Sequence, residues 1–140
     1  PLDDAQAARL LQAVDLALSQ WTAHGVPLTC ARDWREGRFL AIGVDQRDAG
    51  ASGCSIDALF RTLQQLERTL GTSLVAGGRV FYRDAAGAVQ CVDRATYAGL
   101  ARGGAVGEAT PVFDTTVTTA GDYRVRFERP AATSWHAQLA

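Results

Sequence analysis

The residues best suited to chemistry stand in the segment 51–57, Ala-Ser-Gly-Cys-Ser-Ile-Asp, directly ahead of an apolar helical pattern. Backbone N–H groups at the start of a helix are unpaired and the helix dipole is positive there, so negative charge is favoured. Asp57 opposes an anionic ligand, because its carboxylate competes for the same positive end. The candidates for binding a small anionic ligand are Ser52, Gly53, Cys54 and Ser55, together with His136.

A second hypothesis makes the thiol of Cys54 a nucleophile, since a helix N-terminus favours the reactive thiolate. Such a thiol needs a base, which His24 or His136 could supply, and a third group such as Asp45 or Asp57 to orient the imidazole. His24 is expected in the last turn of the first helix, where an imidazolium also interacts with the free carbonyl groups. The catalytic candidates are therefore Cys54, His24 and Asp57.

Each of these residues also has a structural interpretation. Ser55 can cap the helix, Asp57 can complement the dipole, and Cys54 can be a small buried apolar group. His136 lies close to the end of the chain and is expected to be a solvated terminal side chain. We therefore expect the segment 51–57 to be first a helix start, second a site for an anion or partner, and third a nucleophile.

Two helical patterns and a hairpin make up the first half of the chain. Apolar residues recur at steps of three and four, which predicts a helix over 4–24 that begins at a capping box of Asp3 and Gln6. Gly25 supplies a left-handed cap for that helix. Strand-forming residues around a polar turn predict a hairpin over 28–45.

The polar segment 45–53 has no apolar periodicity and is expected to be a loop that carries function. A second apolar stripe over 56–70 then predicts another long helix. Ser55 is its expected N-cap, and Gly71 is the expected left-handed residue after its end.

The second half of the chain contains a further hairpin and shorter elements. Alternating residues predict strands over 79–92 around a turn at 84–87, and Asp93 is expected to cap a short helix ending near residue 103. Alternation over 123–127 favours a strand, although Thr119 could cap a helical turn instead. The segment 133–136 is expected to open a final short helix.

The alternation of helices and hairpins predicts an α+β fold. We expect a two-layer sandwich, in which one antiparallel sheet built from the two hairpins has the amphipathic helices packed on one face. The chain has 140 residues, of which 47% are hydrophobic and 21% charged. These values are typical of a globular protein, and residues 1–140 are expected to form a single domain.

Composition argues against several classes of function. A formal net charge of −1 provides no positive field for nucleic acid or an anionic membrane surface. All 14 basic residues are arginine, which excludes a Schiff-base lysine and a Walker lysine. No apolar run is long enough to span a membrane and no leader resembles a signal peptide, so neither membrane nor secretion is expected.

Cysteine usage favours the cytoplasm. The odd set of three has no C-x-x-C pair, so neither a disulfide framework nor a zinc site is predicted, and no metal or cofactor is expected. The scattered histidines add no paired ligands to this set. The cysteines are Cys30, Cys54 and Cys91.

Three segments carry a family resemblance: W-x-x-H-G at 21–25, G-C-S-I-D at 53–57 and S-W-H at 134–136. The chain resembles, over most of its length, a family of small bacterial proteins of unknown function that are often labelled as ABC transporter ATPases. That label is not supported, because the chain has no Walker lysine and no signature motif. The resemblance implies that Cys54, Asp57, His24 and His136 are site residues, and that a strand preceding the first helix in the family is absent here.

The sequence thus leaves two functional hypotheses. The first is a non-enzymatic cytoplasmic domain that binds a small anionic ligand or a protein partner near the loop 45–55. The second is a thiol-dependent enzyme or redox sensor that uses Cys54. A structural subunit that oligomerises through an exposed tryptophan is a third hypothesis, and the sequence does not define the oligomeric state.

Overall fold

The computed structural model describes residues 2–45, 53–74 and 77–139. The fold divides into two compact units, Pro1–Val75 (unit 1) and Ala76–Ala140 (unit 2). Both units combine helices with antiparallel strands, so the predicted α+β class is confirmed. The assignment of residues 1–140 to a single domain stays a prediction.

Unit 1 packs two long helices on a hairpin. The core consists of apolar side chains from both helices together with Trp21, Ala23 and Leu28, and α1 packs against α2 and β3. In chain order the elements are α1 (Asp4–Ser19), β1 (Thr22–Ala23), β2 (Val26–Pro27), β3 (Cys30–Arg35), β4 (Phe39–Val44) and α2 (Gly53–Leu70).

The first helix is shorter than predicted. Its capping box is confirmed, because the Asp3 side chain accepts from the backbone N–H of Gln6 and the Gln6 side chain accepts from that of Asp3. However, α1 ends at Ser19, and the following residues form the small hairpin of β1 and β2. The apolar period continues to Trp21 only because that indole enters the same core, so the prediction of a helix over 4–24 is wrong beyond residue 19.

The hairpin of β3 and β4 confirms the prediction for 28–45. The strands pair from Cys30 with Val44 to Arg35 with Phe39, and the turn places Glu36 and Gly37 at positive φ. The predicted functional loop 45–53 lies mostly outside the described residues, since 46–52 are not among them.

The second helix confirms the predicted stripe but does not bury all of it. Leu63 and Leu70 are buried, whereas Ile56 and Phe60 are 41% and 48% exposed. Gly71 ends the helix at φ 68°, and its N–H donates to the Glu67 carbonyl, as predicted for a left-handed residue. An apolar pair on the first turns of α2 is therefore left facing solvent.

Unit 2 contains a four-stranded antiparallel sheet in the order β6-β5-β7-β8. The predicted hairpin, the Asp93 cap on the Thr96 N–H, and the helix end near residue 103 are confirmed. Two final 3₁₀ helices occupy the region of the predicted short helix. The elements are β5 (Arg79–Arg83), β6 (Val89–Asp93), α3 (Arg94–Arg102), β7 (Pro111–Phe113), α4 (Ala120–Arg126), β8 (Glu128–Pro130), and the 3₁₀ helices Ala131–Thr133 and Trp135–Leu139.

The two hairpins belong to different sheets, unlike the single sheet that was predicted. The reason is that β5 pairs with β7 on its second edge, and β7 pairs with β8. β7 and β8 have three residues each, which is too short for alternation to be recognised in the sequence. Within unit 2, α3 packs on β5 and β6, which is a two-layer arrangement of helix on sheet.

Residues 123–126 lie in α4 and Phe127 is its C-cap, so the favoured strand prediction for 123–127 is wrong. Thr119 caps α4 by accepting from the backbone N–H of Asp122 at 3.1 Å. Tyr123 and Phe127 are four residues apart, and their rings lie 5.1 Å from one another between centroids. Their spacing fits one helix face as well as it fits alternation, and the Thr119 cap decides between the two.

Within the residues that the structure describes, none of the helices combines the length and the apolar character needed to cross a membrane.

Candidate functional site

The candidate residues Gly53, Cys54, Ser55 and Asp57 lie at the start of α2, in unit 1. Gly53 is the first helical residue and Ser52 lies outside the described residues. The side chains of Cys54 and Asp57 are both exposed. A carboxylate and a thiol are thus presented to solvent within one turn of the same helix.

Ser55 is not the N-cap that the sequence predicted. It is the third helical residue and is 4% exposed. Its backbone carbonyl accepts a 2.7 Å hydrogen bond from Nε1 of Trp21. The helix begins three residues earlier than expected, at Gly53, so Ser55 faces the core and its carbonyl fixes the indole.

His24 is not in the last turn of a helix, which removes its predicted interaction with free helix carbonyls. It has φ 52° and is followed by Gly25 at φ 77°, and these two residues connect β1 to β2. Two successive residues at positive φ are what a tight two-residue hairpin turn requires. The imidazole is therefore exposed at a turn.

The predicted partnership of Cys54 with His24 and Asp57 has no direct contact to support it. Within residues 2–45, 53–74 and 77–139, no hydrogen bond or ion pair joins any two of these three side chains. The Asp45 N–H donates to the Thr29 carbonyl, extending the β3–β4 ladder. The catalytic roles of these residues stay predictions.

The three cysteines are free. Cys30 is half-buried on β3, and burial raises the pKa of its thiol. Cys91 is half-buried on β6, and Cys54 alone is exposed. In the described part of the chain no three His, Cys, Asp or Glu side chains are grouped as metal ligands.

A second polar cluster, which the sequence analysis did not identify, lies in unit 2 after β7. Asp114 is 3% exposed and accepts from Arg129 Nη2 at 2.7 Å and from the backbone N–H of Thr116 at 2.9 Å. Burial acts to raise the pKa of the Asp114 carboxyl, but the Thr116 and Arg129 hydrogen bonds outweigh it and lower that pKa. The carboxylate is thus held ionised inside the unit.

His136 belongs to this part of the molecule and is fully buried, so the expectation of a solvated terminal side chain is wrong. Its Nδ1 lies 2.8 Å from the hydroxyl oxygen of Ser134. Its ring stacks on Trp135 with centroids 3.9 Å apart and meets Tyr97 edge-on at 5.9 Å. The last 3₁₀ helix packs on α3, which is why the C-terminal segment buries this imidazole.

Burial strongly affects the ionisation of His136. Desolvation of the imidazole lowers its pKa to about 4, with the Asp114 charge opposing that shift and the Arg129 charge adding to it. His136 is therefore neutral at pH 7. Apolar residues recur every four positions in the C-terminal segment and pack on one core: Ala131, Trp135 and Leu139. This spacing is the sequence signal that indicates a packed C-terminus.

Comparison of the chain with protein-family models, with curated proteins and with solved structures gave no match. The resemblance carried by the three segments W-x-x-H-G, G-C-S-I-D and S-W-H stays a prediction.

Proposed function

We propose that this chain is a non-enzymatic binding domain with a partner-binding surface at the start of α2. The observation that carries the proposal is the exposure of Ile56 and Phe60, at 41% and 48%. These residues are four apart and share one helix face. Adjacent exposed apolar side chains mark interaction surfaces more often than single ones do.

The proposed occupant is a protein partner with an apolar contact surface. Exposed Asp57 and Arg61 on the same helix would form a polar rim of both signs around the apolar pair, as at other interfaces. A small anion, the other ligand predicted near residues 45–55, is less well supported because Asp57 repels it. The proposed location is the cytoplasm, in line with three free cysteines.

The second candidate function is the thiol-dependent enzyme or redox sensor. It is favoured by one observation, the exposure of the Cys54 thiol, since a reactive cysteine must be accessible. A base in contact with that thiol would be needed as well. His24 remains its candidate base within unit 1.

Alkylation of the native protein across pH separates the two functions. We expect Cys54 to react at the rate of a free thiol, and His24→Asn to leave that rate unchanged. Cys30 and Cys91 serve as internal controls, because they are half-buried. A Cys54 that reacts many times faster, and that His24→Asn slows, would establish the enzymatic alternative and overturn the binding proposal.

The apolar surface can be probed with a fluorescent hydrophobic dye. Phe60→Gln retains helix propensity and removes one of the two exposed apolar side chains. Dye binding should therefore fall. Val125→Gln is the matched control, because Val125 is a single apolar residue, 76% exposed on α4. An equal loss of dye binding in both variants would contradict a surface at the start of α2.

A fluorophore attached to Cys54 can distinguish the kinds of occupant. Inorganic phosphate should leave its emission unchanged if the surface is made for a protein. A saturable response to phosphate would overturn the choice of a protein partner in favour of a small anion.

A further inference from the structure

Three buried nitrogen atoms in unit 2 lack a hydrogen-bond partner among the described residues: Arg129 Nε, Trp135 Nε1 and His136 Nε2. A buried polar atom without a partner destabilises the folded state, and most buried polar atoms in folded proteins are paired. All three belong to the region of the Asp114 cluster. Because the three atoms lie in the same region, a single acceptor could serve all of them.

The three groups lie on one face of the sheet. Tyr82, Val112 and Arg129 are register partners on β5, β7 and β8, so their side chains point to the same side. Val112 and Trp135 belong to the same apolar core. His136 stacks on Trp135, which brings the imidazole, the indole and the guanidinium into one buried layer.

Two of the three nitrogen atoms are donors in any case, and His136 Nε2 is a donor in one of the two imidazole tautomers. Indole Nε1 and guanidinium Nε always carry hydrogen. The Ser134 hydroxyl contacts Nδ1 of His136 at 2.8 Å, and if it donates there, the hydrogen of the neutral imidazole is on Nε2. In that tautomer all three nitrogen atoms are N–H donors that require an acceptor.

The local charge determines which acceptor fits. Arg129 is already paired with the Asp114 carboxylate at 2.7 Å, which compensates its charge, and the exposed Arg94 guanidinium lies 5.5 Å from the centre of the Trp135 ring. An anion would add a second negative charge close to Asp114 in a buried environment, where like charges repel strongly. A neutral oxygen meets the need of the donors without that repulsion.

We propose that unit 2 contains a binding site for a neutral acceptor oxygen, formed by Arg129, Trp135 and His136. The oxygen would belong either to an internal water molecule or to a small neutral solute such as an amide or alcohol. This site is independent of the partner-binding surface on α2.

The test is NMR spectroscopy of the full chain with ¹⁵N-labelled tryptophan. The Trp135 indole resonance is assigned by Trp34→Phe and Trp135→Phe. Trp21 is the internal reference, because its N–H is paired with the Ser55 carbonyl at 2.7 Å. We expect the Trp135 N–H either to show a cross-relaxation peak to long-lived water, or to shift saturably with acetamide while Trp21 does not.

A water peak identifies the internal-water source and an acetamide response identifies the solute. If neither occurs, the proposal is overturned. A response of Trp135 to acetate or inorganic phosphate would overturn the assignment of a neutral acceptor.

A variant gives an independent readout. His136→Asn removes Nε2 while keeping a polar group near Ser134, so it should abolish the water peak or weaken acetamide binding about tenfold, the equivalent of one lost hydrogen bond of about 1.4 kcal/mol. His24→Asn in unit 1 should change neither. Unchanged water contact or acetamide affinity in folded His136→Asn contradicts the role of that imidazole.

Discussion

Trp21 in unit 1 and Trp135 in unit 2 both have a buried indole N–H, but their surroundings differ. The N–H of Trp21 donates to the Ser55 carbonyl, whereas that of Trp135 has no partner in the described part of the chain. A paired buried group is explained by the fold alone. Unit 1 thus satisfies the buried N–H of Trp21 within its own fold, whereas unit 2 contains three buried nitrogen atoms with no partner among the described residues.

The strongest way to test this difference is to remove the buried carboxylate of unit 2. Asp114→Ala should reduce the free energy of unfolding by about 3 kcal/mol, because it leaves the Arg129 charge uncompensated beside a buried core. The measurement is urea unfolding at pH 7. Asp15→Ala is the matched control in unit 1, since Asp15 pairs with Arg32 at 2.9 Å but is 54% exposed, and its effect should be much smaller. Equal losses of unfolding free energy in the two variants would contradict the proposed difference between the two units.

The pH dependence of stability provides the next test. The pKa of His136 is about 4 in the folded chain and about 6.5 when unfolded. Below pH 6.5 the unfolded chain takes up a proton that the folded chain does not, so stability falls as pH drops towards 4, by up to about 3 kcal/mol. His136→Asn should flatten this dependence in unfolding experiments between pH 7.5 and 4.5. His24→Asn should preserve it, and a flat profile in the original chain would refute the burial of a neutral imidazole.

The smallest expected effect concerns the paired indole. Trp21→Phe removes the donor to the Ser55 carbonyl and should lower the free energy of unfolding by about 1 kcal/mol through the hydrogen bond, in addition to the loss of ring contacts. Trp34→Phe, in the same core, controls for the change in ring size. If the two variants lose the same stability, the Trp21 hydrogen bond contributes nothing measurable.

Local signals in the sequence predicted much of the fold. The Asp3 and Asp93 caps, Gly71 and the hairpin around Asp84 follow from residue chemistry that acts over a few positions. The errors came where local signals are ambiguous. Trp21 fitted a helical period but entered the core from a hairpin, and the pair Tyr123 and Phe127 fitted a strand and a helix equally.

The candidate site was predictable only in part. Cys54 and Asp57 were expected near a helix start and are there. The cluster of Asp114, Arg129 and His136 depends on pairing of β7 with β8 and on the packing of the C-terminal segment. Such contacts join residues that are distant in sequence, and no local pattern encodes them.

The Asp114–Arg129 ion pair also has a consequence for strand alignment. β7 has only three residues, so its few ladder hydrogen bonds specify its register weakly. A slip of one residue would turn Val112 and the adjoining Asp114 to the opposite face of the sheet, where Phe81, Phe113 and the paired Arg83 and Glu128 lie. The carboxylate would then leave its only described cation for a face whose charges already neutralise each other. The ion pair therefore favours the observed register of β7 between its neighbours β5 and β8.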